Sequence, residues 1–331
     1  MIFMARNATN KLLHQAKSSR NDEFYTLMED IERELKYYTD KFRGKVVYCN
    51  CDDSRISNFY KYFKNNFESL GLKALISSSF CPRNNDLFCM DEAVEGSYTI
   101  YEGRGHEERH LRLNGNGDFR SSECVRLLDQ SDIVVTNPPF SLFREFVSLM
   151  IRKDKKFLII GNINAITYKE IFSLIQKNRV WLGVHMGRGI SGFKVPDSYE
   201  LYGTEARVNE YGDRIISPNN CLWLTNIDVS TRHDLIKLTK TYEGNVSFYP
   251  EYDNYNGINV DRTSDIPMDY DGVIGVPITF LHKYNPEQFE IIRFRKGYDG
   301  KDLSINGKCP YFRILVRNRF AQKVSVANNN Y

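Results

Sequence analysis

The chain has 331 residues, of which 41% are hydrophobic and 26% charged, and its formal net charge is +3. These values describe a globular protein with room for one large domain or two ordinary ones. They exclude a membrane bundle, since no apolar run approaches bilayer-spanning length, while a net charge of +3 does not announce nucleic acid and leaves that role to local basic clusters. The start, MIFMARNATNKLL, lacks the apolar core of a secretory signal, which predicts a cytoplasmic protein. Seven cysteines (Cys49, Cys51, Cys81, Cys89, Cys124, Cys221 and Cys309) have no paired spacing, so free thiols are expected and no metal site.

Residues 1–20 carry Arg6, Lys11, Lys17 and Arg20 and no acidic residue. They read as a basic arm, either frayed or laid along phosphates. Ile31, Leu35 and Tyr38 then recur at helical spacing. Lys45–Asn50 is a buried strand, followed by a helix with Phe59, Phe63, Phe67 and Leu70 on one face and Gly71 as its stop. Between them lies the glycine-free loop Cys51-Asp52-Asp53-Ser54-Arg55. A second strand covers Ala74–Ser78. Ser97–Tyr101 and His110–Leu113 are spaced to form a hairpin inserted before the third strand. Gly117-Asp118-Phe119 leads into a helix starting near Ser121, and Asp132–Val135 is the next buried strand.

Ser141 is placed to cap a helix with an apolar stripe from Leu142 to Ile151. Lys156–Ile160 is a strand, and Thr167–Glu170 is a capping box. Strands and helices alternate from residue 45 to about 178, which predicts an α/β fold: a doubly wound, mostly parallel, Rossmann-like sheet. Beyond 180 the texture changes to short strands and loops with glycine punctuation. Tyr249–Asn259 reads as a long loop, Gly275–Leu281 as a strand, Pro286–Ile292 as a short helix and Tyr311–Val316 as a last strand.

The stretch with the clearest chemistry is Asn137-Pro138-Pro139-Phe140, directly after the Asp132–Val135 strand. Open α/β sheets place their ligands at such strand ends. Each proline fixes φ and removes a backbone donor. The loop therefore presents acceptors, the Asn137 side-chain oxygen and the Pro138 carbonyl, beside the aromatic face of Phe140. Two rigid acceptors next to a ring suit a planar group with an exocyclic amine. The plain alternative is a proline-rich turn that only closes a strand.

This tetrapeptide resembles motif IV of S-adenosylmethionine-dependent amino-methyltransferases, which act on adenine N6, cytosine N4 or glutamine amides. Phe24-Tyr25-Thr26 is similar to the motif that touches the methionine end of their cofactor. Asn50-Cys51-Asp52 stands at their first cofactor loop, without its usual glycines. Asp118-Phe119 resembles the acidic-aromatic pair that holds the cofactor adenine. The acidic residue often found after the second strand is absent, with Ser77–Ser79 in its place, so the ribose contact is unassigned.

Taken together, NDEFYT, KVVYCNCDD, GDFRSSE, SDIVVTNPPFSLF, GTEARV, ISPNNCLWLTN and GVPITFLHKYNPEQFE resemble the EcoRI-type adenine-specific DNA methyltransferases. That resemblance runs along nearly the whole chain, and the missing glycines agree with it. It implies S-adenosyl-L-methionine as cofactor, duplex DNA as partner, and methylation by base flipping of the inner adenine of GAATTC. It also implies a monomer paired in a restriction system with a nuclease it does not touch. The expected organisation is an arm over 1–20, a cofactor-binding catalytic domain over 21–180 and a target-recognition region over 181–331. Residues 272–331 are the stretch able to rejoin the catalytic sheet. Arg6, Lys11, Arg188, Lys194, Asn219, Asn220, Arg232 and His233 are the candidate DNA contacts. Methylation of RNA bases or protein glutamine, and a catalytically decayed DNA-binding protein, remain the competing expectations.

Overall fold

The computed structural model describes residues 25–81, 95–186, 190–195, 201, 206–217, 220–295, 303–309 and 312–321. The basic arm with Arg6 and Lys11, and also Phe24, Arg188 and Asn219, lie outside the described residues. The chain divides into two compact units, residues 1–165 with 185–227, and residues 166–184 with 228–331.

The first unit opens with β1 (Tyr25–Thr26) and α1 (Met28–Leu35), which buries Ile31 and Leu35. β2 (Val46–Asn50) follows, then α2 (Asn58–Asn65), whose first turn is capped by Ser57 Oγ accepting from the Tyr60 amide. α3 (Phe67–Leu70) stops at Gly71, whose φ of 64° is the left-handed conformation glycine adopts freely. Next come β3 (Ala74–Ser79), β4 (Ser97–Tyr101), β5 (Arg109–Arg112), α4 (Ser122–Gln130), β6 (Ile133–Thr136), α5 (Phe143–Arg152) and β7 (Lys156–Asn162). α6 (Lys169–Gln176) belongs to the second unit, and β8 (Trp181–Met186) straddles the division. The chain re-enters the first unit with β9 (Phe193–Lys194), β10 (Ala206–Val208), β11 (Arg214–Ile216) and β12 (Cys221–Thr225).

Within the first unit β5, β4, β3, β2, β6, β7 and β12 lie side by side in one mixed sheet. Its four central strands, β3, β2, β6 and β7, are parallel. Val134, Val135 and Phe157 to Ile160 are wholly buried, which is why β6 and β7 read as apolar runs, while β2 and β3 carry the buried polar residues Asn50, Ser77 and Ser78 towards their ends. β4 and β12 pair antiparallel at the two sides. The hairpin expected over 97–113 forms, and the structure adds what spacing did not reveal, that it extends the main sheet through β3. A seven-residue link cannot make a parallel crossover, so β4 and β5 must run antiparallel to each other. The architecture is mixed α/β with mixed sheets.

A second, four-stranded antiparallel sheet joins β1, β9, β11 and β10, with Thr26 opposite Phe193 and Tyr25 opposite Lys194. Two buried carboxylates of α1 hold this arrangement. Asp30 accepts from the Ser191 amide at 2.8 Å and Glu34 from the His185 amide at 2.9 Å, which pins the chain leading into β9 beside β1.

The second unit carries β13 (Glu251–Tyr252), β14 (Tyr255–Asn259), β15 (Ile274–Pro277), β16 (Phe289–Arg295) and β17 (Arg313–Asn318), in the sheet order β13-β14-β15-β17-β16. Two expectations are corrected here. Tyr249–Asn259 is a hairpin turning at Asp253-Asn254, and Tyr252 Oη bonds Asn259 Oδ1 across it at 3.0 Å. The expected helix over Pro286–Ile292 is one capped turn followed by a strand. Asn285 Oδ1 accepts from the Glu287 and Gln288 amides, and Phe289 and Ile291 then alternate inward with period two. Two helix starts shift as well. α5 begins after a 3-10 turn over Phe140–Leu142, because the Pro139 carbonyl accepts from the Leu142 amide at 3.0 Å. α6 takes Tyr168, rather than Thr167, as its N-cap.

Candidate active site

Because β2, β3 and β6 are parallel, their carboxyl ends share one edge, and the candidate residues gather there. Asn50 ends β2, Ser79 ends β3 and Thr136 ends β6, one residue before Asn137. Asp52 ties the three together. Its amide donates to the Ser78 carbonyl at 2.8 Å and its own carbonyl accepts from Ser77 Oγ. Its carboxyl oxygens accept from Ser57 Oγ at 2.8 Å and contact Thr136 Oγ1 at 2.5 Å. Burial pushes the Asp52 carboxyl up to about 7, against the lowering effect of the two hydroxyls.

The absence of glycine from this loop has a local explanation. Cys51 adopts φ 64°, the left-handed conformation, so the turn out of β2 takes the shape glycine would give while carrying a side chain. Cys51→Gly should therefore change stability little, as relieved strain and added chain entropy offset each other. Cys51→Val should lower it by about 1–2 kcal/mol, since β-branched residues resist this region. Urea unfolding of both variants measures the contrast, and equal midpoints would contradict it.

Thr26 belongs to the same edge, since its carbonyl accepts from Asn58 Nδ2, at the start of α2, at 2.9 Å. Gly117 lies against the end of β3, with the Asn116 carbonyl accepting from the Cys81 amide at 2.8 Å. Asp118 next to it is gripped by Arg120 through the backbone amide, Nε and Nη2 at 2.7–2.9 Å. The guanidinium holds the Asp118 carboxyl below its usual range. Phe119, by contrast, is 2% exposed and packs edge-on against Phe146 at 5.0 Å, as a support beneath Asp118.

In the proline loop Pro138 is buried, while Asn137, Pro139 and Phe140 are half-buried, with the Asn137 Oδ1 atom enclosed. The Phe140 ring stands edge-on to Phe193 of β9, centroids 6.2 Å apart at 77°. Phe193, Thr136, Ser57 and Asn58 were not singled out from sequence. Only Thr136 left a signal, a hydroxyl closing an otherwise apolar run.

The structure brings Thr26, Asn50, Cys51, Asp52, Asp118 and the Asn137 loop to one edge. The described candidate DNA contacts have partners of their own. Lys194 pairs with Asp213 in the small sheet, and the Asn220 carbonyl accepts from the Ile163 amide at 2.6 Å. In the second unit Arg232 lies 3.8 Å over the Trp181 ring and bonds Asn178 and Asp228, while His233 meets Asp228 at 2.8 Å and Glu287 at 3.5 Å.

Two polar atoms test whether a donor fits this edge. Thr26 Oγ1 and Asn50 Nδ2 are enclosed and have no hydrogen-bond partner among the described residues. Buried polar groups are normally satisfied. An unpaired hydroxyl and an unpaired amide donor suit a ligand with both carboxylate and ammonium groups, such as the amino-acid end of S-adenosylmethionine. Among the described residues no cluster of His, Cys, Asp and Glu is arranged for a metal. The described cysteines are free thiols.

Comparison with known families decides the class of enzyme. The model of the adenine-specific methyltransferase EcoRI family matches residues 12–319. The chain belongs to the EcoRI adenine-specific methyltransferase family. It is 62% identical over 330 residues to the Type II methyltransferase M.EcoRI of Escherichia coli, covering 97% of this chain and all of that protein. It is 37% identical to the Type II methyltransferase M.MpnI of Mycoplasma pneumoniae and 35% identical to M.MgeORF184P of Mycoplasma genitalium, over 92% of this chain and 98% of each relative. No solved structure matches. As an EcoRI-family methyltransferase, the chain is an adenine-specific enzyme acting on DNA, and the edge built around Asn137 lies within the matched span.

Proposed function

We propose that the protein methylates adenine N6 in duplex DNA, with S-adenosyl-L-methionine as donor and GAATTC as target. In this reading it works as a cytoplasmic monomer within a restriction-modification pair. The observation that carries the proposal is the seating of the Asn137 loop one residue beyond Thr136, at the edge where Thr26 Oγ1 and Asn50 Nδ2 lack partners. The four parallel strands with α2, α4 and α5 between them support a doubly wound, Rossmann-like core for this site. No helix among the described residues is long and apolar enough to cross a membrane.

S-adenosylmethionine, when bound, supplies an electrophilic methyl group. Tyr25, Thr26, Asn50, Cys51 and Asp52 would hold its amino-acid end and Asp118 its adenine. A target adenine inside a duplex is out of reach, so it must leave the stack at a cost of roughly a few kcal/mol. Phe140 would stack on the extruded ring, worth about 1–3 kcal/mol. The Phe193 edge behind Phe140 keeps that plate in place. Asn137 Oδ1 and the Pro138 carbonyl would accept the two hydrogens of the exocyclic amine. That draws its lone pair out of conjugation and stabilises the positive charge growing on nitrogen, by electrostatics already in place before reaction. Pro139 keeps the corner rigid. No general base is needed beforehand, because the product ammonium is far more acidic than the starting amine.

Phe140→Ala should cut the fluorescence gain of 2-aminopurine placed at the target adenine, since stacking no longer traps the extruded base. An unchanged signal together with an unchanged rate would remove Phe140 from the role. The whole reading is tested by incubating a GAATTC plasmid with protein and tritiated donor, then digesting with the EcoRI nuclease. Label incorporation and full protection are expected. Label with full cutting would mean another sequence, and no label would favour a decayed enzyme.

A further inference from the structure

Three oxygens converge where β2 and β6 end: the Asn50 carbonyl, Thr136 Oγ1 and Asp52 Oδ2. Thr136 Oγ1 lies within hydrogen-bonding distance of both others. A carbonyl only accepts, and a hydroxyl carries one hydrogen. Two such contacts need two hydrogens. If Asp52 were ionised, Thr136 could serve one neighbour, and its contact with the other would be two bare oxygens pressed together. If Asp52 carries a proton, it donates to Thr136 Oγ1, and Thr136 donates to the Asn50 carbonyl. The other carboxyl oxygen accepts from Ser57 Oγ at 2.8 Å in either state.

The charges around Asp52 point the same way. Asp53 is adjacent, with its carboxylate bonded to Arg55 and His110 close by. The Cys49 and Cys51 thiols flank Asp52, and Asp118 lies beyond Cys51. Among the described residues no lysine, arginine or histidine pairs with Asp52.

We propose that Asp52 is a neutral acid in the donor-free protein and surrenders its proton when the cationic donor binds, which links donor binding to the strand that ends at Asn137. The proposal rests on the donor assignment made above. In the step, the Asp52 O–H bond breaks and its proton leaves to solvent. The carboxylate keeps the electron pair and faces the cationic end of the donor. Thr136 then turns its single hydrogen to Asp52 and draws back from the Asn50 carbonyl, and an N–H of the ligand would replace the hydrogen that carbonyl loses. Burial raises the carboxyl to about 7, so the proton is held below that pH and is half lost at it.

The sign follows from linkage. A cation favours the ionised form, so affinity must rise with pH until the free carboxyl has titrated, at about 7. Calorimetric titration of S-adenosylmethionine into the full-length chain, in buffers of different ionisation enthalpy, counts the protons released. About one proton should be released near pH 6 and none well above 7, and the dissociation constant should fall about tenfold per pH unit on the acid side. Asp52→Asn, whose amide reproduces the neutral acid's donation to Thr136, removes the carboxyl and controls for the ligand's own ionisations. It should bind with neither proton release nor pH dependence beyond the ligand's. In wild-type protein labelled with [13C]aspartate, one Cγ resonance should titrate near neutrality without donor and stay ionised with it, independently of how the variant folds. Donor binding without excess proton release, or no aspartate titrating near neutrality, overturns the proposal. A flat calorimetric trace at every pH, with no donor bound, overturns the donor assignment together with it.

Discussion

Asn137→Ala is expected to lower the single-turnover methylation rate by about 10²-fold or more, the cost of losing one preorganised polar partner of a developing charge. Donor and duplex affinity should stay close to wild type. The reason lies in when the oxygen acts. Before reaction the target amine is planar, its lone pair belongs to the ring, and an acceptor gains little from it. As the bond to carbon forms, the nitrogen becomes cationic and its two hydrogens become strong donors. The fixed oxygen of Asn137, held on a corner where Pro138 and Pro139 leave the backbone little freedom, then contributes most. Rapid-quench kinetics with saturating donor and DNA isolates this step. A variant with near-wild-type single-turnover rate would remove the Asn137 loop from the chemistry.

Gly117→Ala should be the most damaging small change at the site. Gly117 has φ 83°, and a methyl group built on it would lie 2.0 Å from the Ser79 carbonyl oxygen, a backbone atom that cannot swing away. Left-handed strain and forced overpacking together should cost about 3 kcal/mol. The displaced segment carries Asp118 and its Arg120 grip, so donor affinity should fall as well. A urea unfolding midpoint equal to wild type would show that the close approach at β3 is not needed. A lowered midpoint with intact donor affinity would separate Asp118 from the donor site.

Much of this edge was legible in the chain because its causes are local. Strands buried on both faces carry apolar, β-branched runs even where they close on polar residues, and Val46–Asn50, Ala74–Ser79, Ile133–Thr136 and Lys156–Asn162 were read within one or two residues. The proline corner announces its own rigidity. What stayed hidden depends on partners far away in sequence. Phe193 is one aromatic residue in a glycine-rich stretch until β9 pairs with β1 and brings its ring to Phe140. Thr136 matters only because Asp52 folds back to meet it. Arg232 reads as a free charge until Trp181 and Asp228 take it up. The misread segment at 286–292 failed for a local reason: Pro-Glu-Gln is a good helix opening, and it outweighed the two-residue alternation of Phe289 and Ile291.

The pairing of β1 with β9 has a consequence for shortened forms of the enzyme. A deletion reaching past Thr26 would strip the outer strand from the small sheet and leave the backbone of Phe193 and Lys194 as an open, unsatisfied border. Such a variant would lose the brace behind Phe140 and gain a sticky rim able to recruit other chains, so its failure in solution would look like poor solubility before it looked like poor catalysis.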